Sequence, residues 1–180
     1  MKKIILFALI LCVSVAALCA SNNIWTFAAS PFAAQFYSSS LGSSRTSDSG
    51  YGFKVGYRYH LGSFLLGADA SYHNYEYIVN GNPVRLGSLQ LLAKVGGKVS
   101  FERMDLNADI GVGANVGISR LSTNYNLMVG GNVSASFFVS QNVALTGGAD
   151  AYVEWSKAED SEFKSVLWSI VPSIGLEIEL

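Results

Sequence analysis

The 180-residue sequence contains little charge, few prolines and almost no cysteine. Charged residues make up 14% of the chain, well below the roughly 25% of an ordinary soluble domain. Hydrophobic residues make up 50%, which excludes a disordered chain. The formal net charge is -1, so the sequence lacks the basic character by which proteins bind nucleic acid. We therefore expect no nucleic acid among the partners of this protein.

The sequence also lacks the residue patterns of cofactor and metal sites. Both cysteines, Cys12 and Cys19, lie in the first 20 residues, so neither a disulfide nor thiolate chemistry can be built in the rest of the chain. The two histidines, His60 and His73, cannot supply a zinc site without further ligands. The glycines alternate within predicted strands and do not precede a helix, which excludes a phosphate-binding loop. We expect no cofactor and no bound metal.

Residues 1–20 have the layout of a cleaved secretory signal peptide. Lys2 and Lys3 give a positive start, an uncharged apolar run covers residues 4–18, and Ala20 supplies a small residue at the cleavage point. The apolar run is shorter than the roughly 20 residues of a transmembrane helix. Cleavage removes two of the 12 basic residues and leaves 10 against 13 acidic residues in a mature domain at 21–180. Lipidation of Cys19 is the alternative, although a lipoprotein signal has a small residue at the preceding position.

Hydrophobic and polar residues alternate with a period of two through most of the mature chain. Between residues 51 and 61 the odd positions are aromatic or aliphatic, and the even positions are glycine or polar. This alternation predicts a β-strand with one apolar and one polar face. A first strand is predicted over residues 24–37, with a bulge near Pro31 that can shift its phase. The same pattern predicts further strands over residues 64–79, 88–101, 105–119, 127–139, 143–155 and 166–180.

The predicted connections alternate in length. Tight turns are expected at residues 61–63, 102–104 and 141–142. Longer polar connections are expected at residues 38–49, 80–85, 121–125 and 156–164. Eight antiparallel strands joined in this way form an all-β, up-and-down meander that can close into a barrel.

The composition of the two faces decides which of them lies inside the barrel. In a soluble lipocalin-type barrel the apolar face points inward, whereas in an outer-membrane barrel it faces lipid. Large side chains such as Phe53, Tyr57 and Trp168 would overfill an eight-stranded interior. The opposite phase is mostly Gly, Ser, Asn and Ala with scattered charges, which suits a narrow lumen. We therefore predict an eight-stranded antiparallel transmembrane β-barrel.

Aromatic residues are expected at both ends of the outward face. With the tight turns and both termini in the periplasm, two bands of rings fall near the two membrane interfaces. The outer band comprises Tyr51, Tyr72, Trp155 and Trp168, and the inner band comprises Tyr57, Tyr59, Phe101 and Phe137. Such belts are typical of transmembrane barrels because the rings are apolar and most carry a polar group.

The signal peptide, the eight alternating strands, the connections of alternating length and the closing strand at 166–180 resemble the small outer-membrane barrels of the OmpA-transmembrane, OmpX and OmpW type. The resemblance covers the whole mature chain and is architectural. It implies a porin-like protein of a diderm, Gram-negative bacterium, with outer-membrane lipids and the barrel-insertion machinery as partners. Such proteins usually end in Phe or Trp, whereas this chain ends in Leu180. A lineage with relaxed rules, such as the spirochaetes, would explain the difference.

The inward phase carries charges of both signs. Because an unpaired buried charge is very costly, these side chains must pair across the lumen. The pairs form either a plug in a structural barrel or the wall of a narrow pore for small solutes. Lys54 and Arg58 are expected to face acids across the barrel. The predicted lumen charges are Lys54, Arg58, Asp69, Lys94, Lys98, Asp109, Asp150, Glu154, Glu177 and Glu179.

Two other non-enzymatic functions have weaker support in the sequence. An OmpW-like conduit for small hydrophobic molecules would use an inward patch of Leu92, Phe138, Tyr152 and Val171. A surface adhesin that binds host ligands would use the Ser-rich connection at 38–49 or the acidic one at 156–164.

An enzyme is not expected. A strand places His73 beside Ser71 and Tyr75, with Glu76 three residues on, so a catalytic dyad is geometrically possible. A histidine in such a setting is more often a hydrogen-bonding residue of the lumen.

Overall fold

The computed structural model describes residues 23–39, 44–47, 49–79, 81–118, 123–157 and 164–180. The predicted signal peptide and both cysteines lie outside these residues. Within the described ranges, no helix is long and apolar enough to span a membrane. The secondary structure consists of β1 (Asn23–Ser30), β2 (Ala34–Ser39), β3 (Ser44–Thr46), β4 (Ser49–Leu61), β5 (Phe64–Val79), β6 (Asn82–Ser100), β7 (Met104–Ile118), β8 (Thr123–Phe138), β9 (Val143–Lys157) and β10 (Lys164–Glu179).

The strands form one antiparallel sheet that closes on itself. From β4 to β10 each strand pairs with its neighbour in sequence, and β1 closes the ring by pairing with both β4 and β10. β2 continues the line of β1 along β10, and the short β3 pairs with β2. The ring therefore has eight strand positions. The prediction of an all-β, eight-stranded antiparallel barrel is confirmed.

A break between β1 and β2 shifts the phase of the first strand. In β1 the buried residues include Ala28 and Ser30, at even positions, whereas beyond Pro31 the buried residues are Ala33 and Gln35, at odd positions. The amide of Ala33 still donates to the carbonyl of Gly50 on β4 (3.0 Å). One extra residue at the break accounts for the shift, as in a β-bulge.

Polar side chains face the interior of the ring, and apolar side chains cover its outside. On β4, Lys54 is 5% exposed, while its neighbour Phe53 is 57% exposed. On β7, Ile110 is 67% exposed, while the adjacent Asp109 is 5% exposed. This arrangement is the reverse of a soluble domain, in which large apolar side chains are the residues most often buried.

The two ends of the barrel differ in their connections. The predicted tight turns lie at one end, where two residues separate β4 from β5, three separate β6 from β7, and four separate β8 from β9. Asn23 and Leu180 exchange backbone hydrogen bonds of 3.2 and 2.8 Å at the same end. We call this the tight-turn end and the opposite one the loop end.

The prediction of a long connection at residues 80–85 is wrong. β5 continues to Val79 and β6 already begins at Asn82, so most of that segment is strand. Gly81 has a φ of 77°, a left-handed backbone conformation that glycine adopts readily in tight hairpin turns. The connection is instead a tight hairpin that lengthens both strands, with Val79 paired to Asn82. The short β3, within the predicted connection 38–49, was also not expected.

Candidate functional site

A network of six buried charged side chains crosses the middle of the barrel. Three are cationic and three are acidic, and they come from five different strands. Alternation within each strand directs all six to the interior. The network consists of Lys54 and Arg58 on β4, Asp69 on β5, Lys94 on β6, Asp109 on β7 and Asp150 on β9.

Lys94 lies at the centre of this network. Its Nζ is 2.6 Å from Oδ2 of Asp69 and 2.9 Å from Oδ1 of Asp109. Oδ1 of Asp150 lies 3.5 Å away. A single ammonium group thus joins carboxylates from three strands, and it is 2% exposed.

The two cations of β4 complete the network. Lys54 donates to Oδ2 of Asp150 (2.6 Å), which bridges β4 and β9. The guanidinium of Arg58 donates to Oδ2 of Asp109 through Nη2 (2.9 Å) and Nε (3.2 Å). Its Nη1 donates to the hydroxyl of Thr26 (3.1 Å). Such charge-assisted bonds are the stronger class of hydrogen bond.

Glycines in the barrel wall leave room for these side chains. A Cβ on Gly56 would lie 2.5 Å from Oδ1 of Asp69, and one on Gly111 would lie 2.7 Å from Cγ of Lys94. Both distances are shorter than real Cβ contacts. The alternation of glycine with charged residues along these strands thus has a steric reason.

A second group of charges lies at the tight-turn end. Nζ of Lys98 is 2.9 Å from Asp105 and 3.7 Å from Glu179. Nε2 of His60 lies 4.0 Å from the same Glu179 carboxylate. Glu177 is buried and accepts a hydrogen bond from Ser136 (2.9 Å). Asp105 was not among the predicted lumen charges, although it shares the inward phase of β7.

An aromatic and aliphatic layer fills the lumen toward the loop end. Three residues of the predicted inward patch, Leu92, Tyr152 and Val171, lie in this layer, whereas Phe138 lies apart from it, beside a tight turn. Tyr75 and Tyr77 were not predicted to line the lumen, because they lie at the end of a stretch of weaker alternation. The remaining buried members are Ala33, Tyr75, Tyr77 and Met128.

Glu154 lies at the loop-end side of the barrel without a cationic partner among the described residues. Its carboxylate is 0% exposed. It accepts hydrogen bonds from Asn115, from Gln90 (3.4 Å) and from Asn126 (3.4 Å). Among the described residues, the hydrogen-bond donors to Glu154 are thus all neutral amides.

The residues around His73 do not form a catalytic dyad in the described part of the chain. The buried ring of His73 lies with its centroid 6.1 Å from those of Tyr75 and Tyr152. Ser71 donates to Gln90 (3.2 Å), and Glu76 pairs with Arg85 on the outer side (2.8 Å). The same ranges contain no group of three or more His, Cys, Asp or Glu side chains able to hold a metal ion.

The predicted interfacial aromatics lie on the outer face. Tyr51, Phe101, Phe137, Trp155 and Trp168 are exposed, and Tyr57, Tyr59 and Tyr72 are half-buried.

Neighbouring rings and polar groups surround some of these aromatics. Trp25, which was not among the predicted interfacial aromatics, packs on Tyr57 with ring centroids 5.1 Å apart. The Tyr57 hydroxyl donates to Asn23 (2.6 Å) at the tight-turn end. Most of the connections at 38–49 and 156–164 lie outside the described residues or carry no described side chains.

Comparison with solved structures identifies the fold as that of outer-membrane β-barrels. The structure of Neisserial surface protein A matches with a TM-score of 0.61 at 15% identity, over 89% of this chain and 98% of that one. Ail, the attachment invasion locus protein of Yersinia pestis, matches with a TM-score of 0.46 at 15% identity, over 87% and 99%. The outer membrane protease OmpT from Escherichia coli matches with a TM-score of 0.45 at 8% identity, over 90% and 98%.

No protein-family model matches the sequence, and no curated protein matches it. At such low identities, the similarity to solved structures establishes the fold and no particular activity.

Proposed function

We propose that the protein is an integral outer-membrane protein of a diderm bacterium and that its barrel spans the membrane with a closed lumen. Residues 21–180 form the barrel after cleavage of the signal peptide 1–20, and both termini lie in the periplasm. Its partners are outer-membrane lipids and the insertion machinery. The apolar outer face supports this proposal, because side chains such as Ile110 and Val112, 67% and 61% exposed, would be unfavourable in water.

The aromatic residues on the outer face support the same placement in the membrane. Tyr57, Tyr59, Phe101 and Phe137 lie near the tight-turn end, while Tyr51, Tyr72, Trp155 and Trp168 lie toward the loop end. Rings of this kind prefer the boundary between lipid and water. We assign the two bands to the two interfaces of the bilayer.

The role that we propose for the barrel is structural rather than conductive. The central observation is the contact of one ammonium, that of Lys94, with the carboxylates of Asp69, Asp109 and Asp150. An eight-stranded interior is only wide enough to be filled by side chains, and here paired charges fill its middle. The layer around Tyr152 and Met128 adds a second obstruction. A polar solute would have to displace both.

We propose no catalytic activity. The hydrogen bonds of Ser71 and Glu76 support this, since Ser71 donates to Gln90 and Glu76 accepts from Arg85. A nucleophile needs a general base within hydrogen-bond reach.

Conductance in planar lipid bilayers tests whether the lumen is closed. The wild-type barrel should show no steady conductance. Lys54→Ala, which removes the bridge from β4 to Asp150, should open brief or steady cation-permeable events. Lys98→Ala is the control, because Lys98 belongs to the ion pairs at the tight-turn end and not to the central network. Steady wild-type conductance with a solute preference would favour a narrow pore. Uptake of small apolar molecules by wild-type vesicles would favour an OmpW-like conduit.

A surface-interaction role is a second candidate, and the length of one hairpin favours it. β5 and β6 have 16 and 19 residues, whereas roughly 9–11 residues cross a bilayer at a tilt. The exposed pair Arg85–Glu76 lies on this hairpin. Binding of whole cells to host surfaces should then fall when residues 38–49 are replaced by a Gly-Ser linker or when the hairpin is shortened. Unchanged binding in both variants would exclude this role.

A further inference from the structure

A pocket of about 480 Å³ lies at the tight-turn end of the barrel. It lies between the turn that joins β6 to β7 and the turn that joins β8 to β9, and its charged lining includes Lys98, Asp105 and Glu179. We call it the tight-turn pocket. Sites for small molecules usually have volumes of roughly 300–1,000 Å³, so this pocket has room for a small molecule and not only for a single ion.

The lumen beside the tight-turn pocket carries an excess of negative charge. With His60 neutral, the inward side chains at this end are one cation, Lys98, against three carboxylates, those of Asp105, Glu177 and Glu179. The turn between β6 and β7 adds one acid and one base, which offset each other. The central network has three charges of each sign and does not compensate the excess. Two negative charges therefore remain, and they favour a cationic ligand.

Three buried acceptor atoms at this end lack a hydrogen-bond donor within the described part of the chain. They are Oδ1 of Asn107, Oε1 of Glu177 and Nε2 of His60, and all three side chains are more than nine-tenths buried. The histidine nitrogen is an acceptor when the proton of the neutral ring is on Nδ1. Buried polar atoms are normally satisfied, so these three atoms require a donor from outside the described residues.

The side chains that carry these acceptors adjoin the tight-turn pocket from the lumen side. Asn107 and Glu177 have the same inward phase as Asp105 and Glu179, which line the pocket, and each lies two residues deeper in the barrel. Nε2 of His60 is 4.0 Å from the Glu179 carboxylate. A ligand that enters from the tight-turn end would meet Asp105 and Glu179 first and the unsatisfied acceptors behind them.

We propose that the tight-turn pocket binds the ammonium group of a small primary alkylamine. An ammonium group has one positive charge, three N–H donors and no acceptor, so it supplies both the charge and the donors that this end of the lumen lacks. Phe101, Phe138 and Val139 also line the pocket and offer apolar surface to an alkyl chain. A metal ion is the weaker candidate, because the described residues contain no group of three or more metal-ligating side chains.

The ammonium of Lys98 shows that this lining accommodates such a group. Its Nζ lies 2.9 Å from Asp105 and 3.7 Å from Glu179, so it already occupies part of the negative field. Lys98→Met removes this resident ammonium and leaves both carboxylates to an external one. We therefore expect Lys98→Met to bind an alkylamine more tightly than the wild type does.

Isothermal titration calorimetry tests the proposal on the mature barrel in zwitterionic detergent micelles at constant ionic strength. The probe is n-butylammonium, and a titration of empty micelles is subtracted. The wild type should show saturable binding. Tetramethylammonium has the same charge without an N–H donor, and 1-butanol has the same alkyl chain without a charge, so neither should bind.

Glu177→Gln should weaken the binding of n-butylammonium about tenfold to hundredfold, because a hydrogen bond to a charged group is lost. The control is Glu154→Gln, which changes a buried carboxylate at the loop-end side that already accepts from three amides. Its affinity should equal that of the wild type. Affinity that is unchanged in Glu177→Gln, or lower in Lys98→Met, would overturn the proposal.

Amide chemical shifts of the wild type provide a second readout that needs no variant to fold. Addition of n-butylammonium should shift the resonances of Asn107, Glu177 and Glu179 and leave those of Asn115 and Glu154 in place. The proposal fails if the wild type shows no saturable binding, which is the result expected when water satisfies the three acceptors. It also fails if tetramethylammonium or 1-butanol binds equally well, or if the shifts lie at the loop end.

Only the periplasmic location of the tight-turn pocket rests on the proposed function. The binding experiments use detergent micelles, so their failure would leave the membrane orientation and the closed lumen untouched. Conversely, a conducting barrel could still bind the amine.

Discussion

The ammonium of Lys94 on β6 lies 2.6 Å from the carboxylate of Asp69 on β5, and the two side chains are 2% and 1% exposed. Both groups have lost their water, so each depends on the other for solvation. Removal of one partner from a buried ion pair is much more damaging than replacement of both by apolar residues. The pair therefore makes the lumen charges interdependent.

Lys94→Met should lower the free energy of unfolding by about 3–5 kcal/mol, because it leaves the carboxylates around Lys94 short of one positive charge. Addition of Asp69→Asn should recover part of the loss, since it removes one of those carboxylates. The measurement is urea unfolding of the barrel in lipid vesicles, followed by tryptophan fluorescence. If the double variant is no more stable than Lys94→Met, the two groups are not coupled.

Gly56→Ala should destabilise the barrel by about 1–3 kcal/mol, the usual cost of inserting a methyl group into a packed interior. The new Cβ would lie 2.5 Å from Oδ1 of Asp69, and Asp69 is held in place by Lys94. Gly97→Ala is the control, because its nearest neighbour, the carbonyl of Ser63, lies at an ordinary 3.5 Å. The same urea titration compares the two variants. Equal stability would mean that the methyl group fits beside Asp69 without disturbing the network.

Ile110→Lys should destabilise the barrel in lipid vesicles by about 2–4 kcal/mol, since Ile110 lies on the outer face near the middle of β7 and a lysine there meets the centre of the bilayer. Met104→Lys places the same charge on the same face at the end of β7, where the cost falls to about 0–1 kcal/mol. Urea unfolding in vesicles measures both. A similar cost at the two positions would show that depth in a membrane does not matter.

Alternation in the sequence was sufficient to predict the barrel and, in its clearly alternating strands, which side chains face the interior. The even positions of β4 and the odd positions of β5 carry Lys54, Arg58 and Asp69 inward because a strand turns successive side chains to opposite faces. The same rule applied to β7 would have found Asp105, which has the inward phase of Asp109.

Contacts across the lumen could not be predicted in the same way. Whether Lys54 meets Asp150 or Asp109 depends on the tilt and stagger of the strands, which alternation does not specify. The apolar layer was predicted only in part because Tyr75 and Tyr77 flank the charged Glu76. The tight hairpin after Val79 was not predicted because Pro83 follows the turn within β6. These features depend on how far each strand pairs beyond its apolar segment.

Site-directed spin labelling tests the central claim, the outward orientation of the apolar face, most directly. The predicted mature chain has no cysteine, so single labels at Val112→Cys and Val153→Cys report on one site each. In lipid vesicles, both labels should be accessible to dissolved oxygen and shielded from a water-soluble nickel complex. Labels that are accessible to the nickel complex and shielded from oxygen would contradict the account.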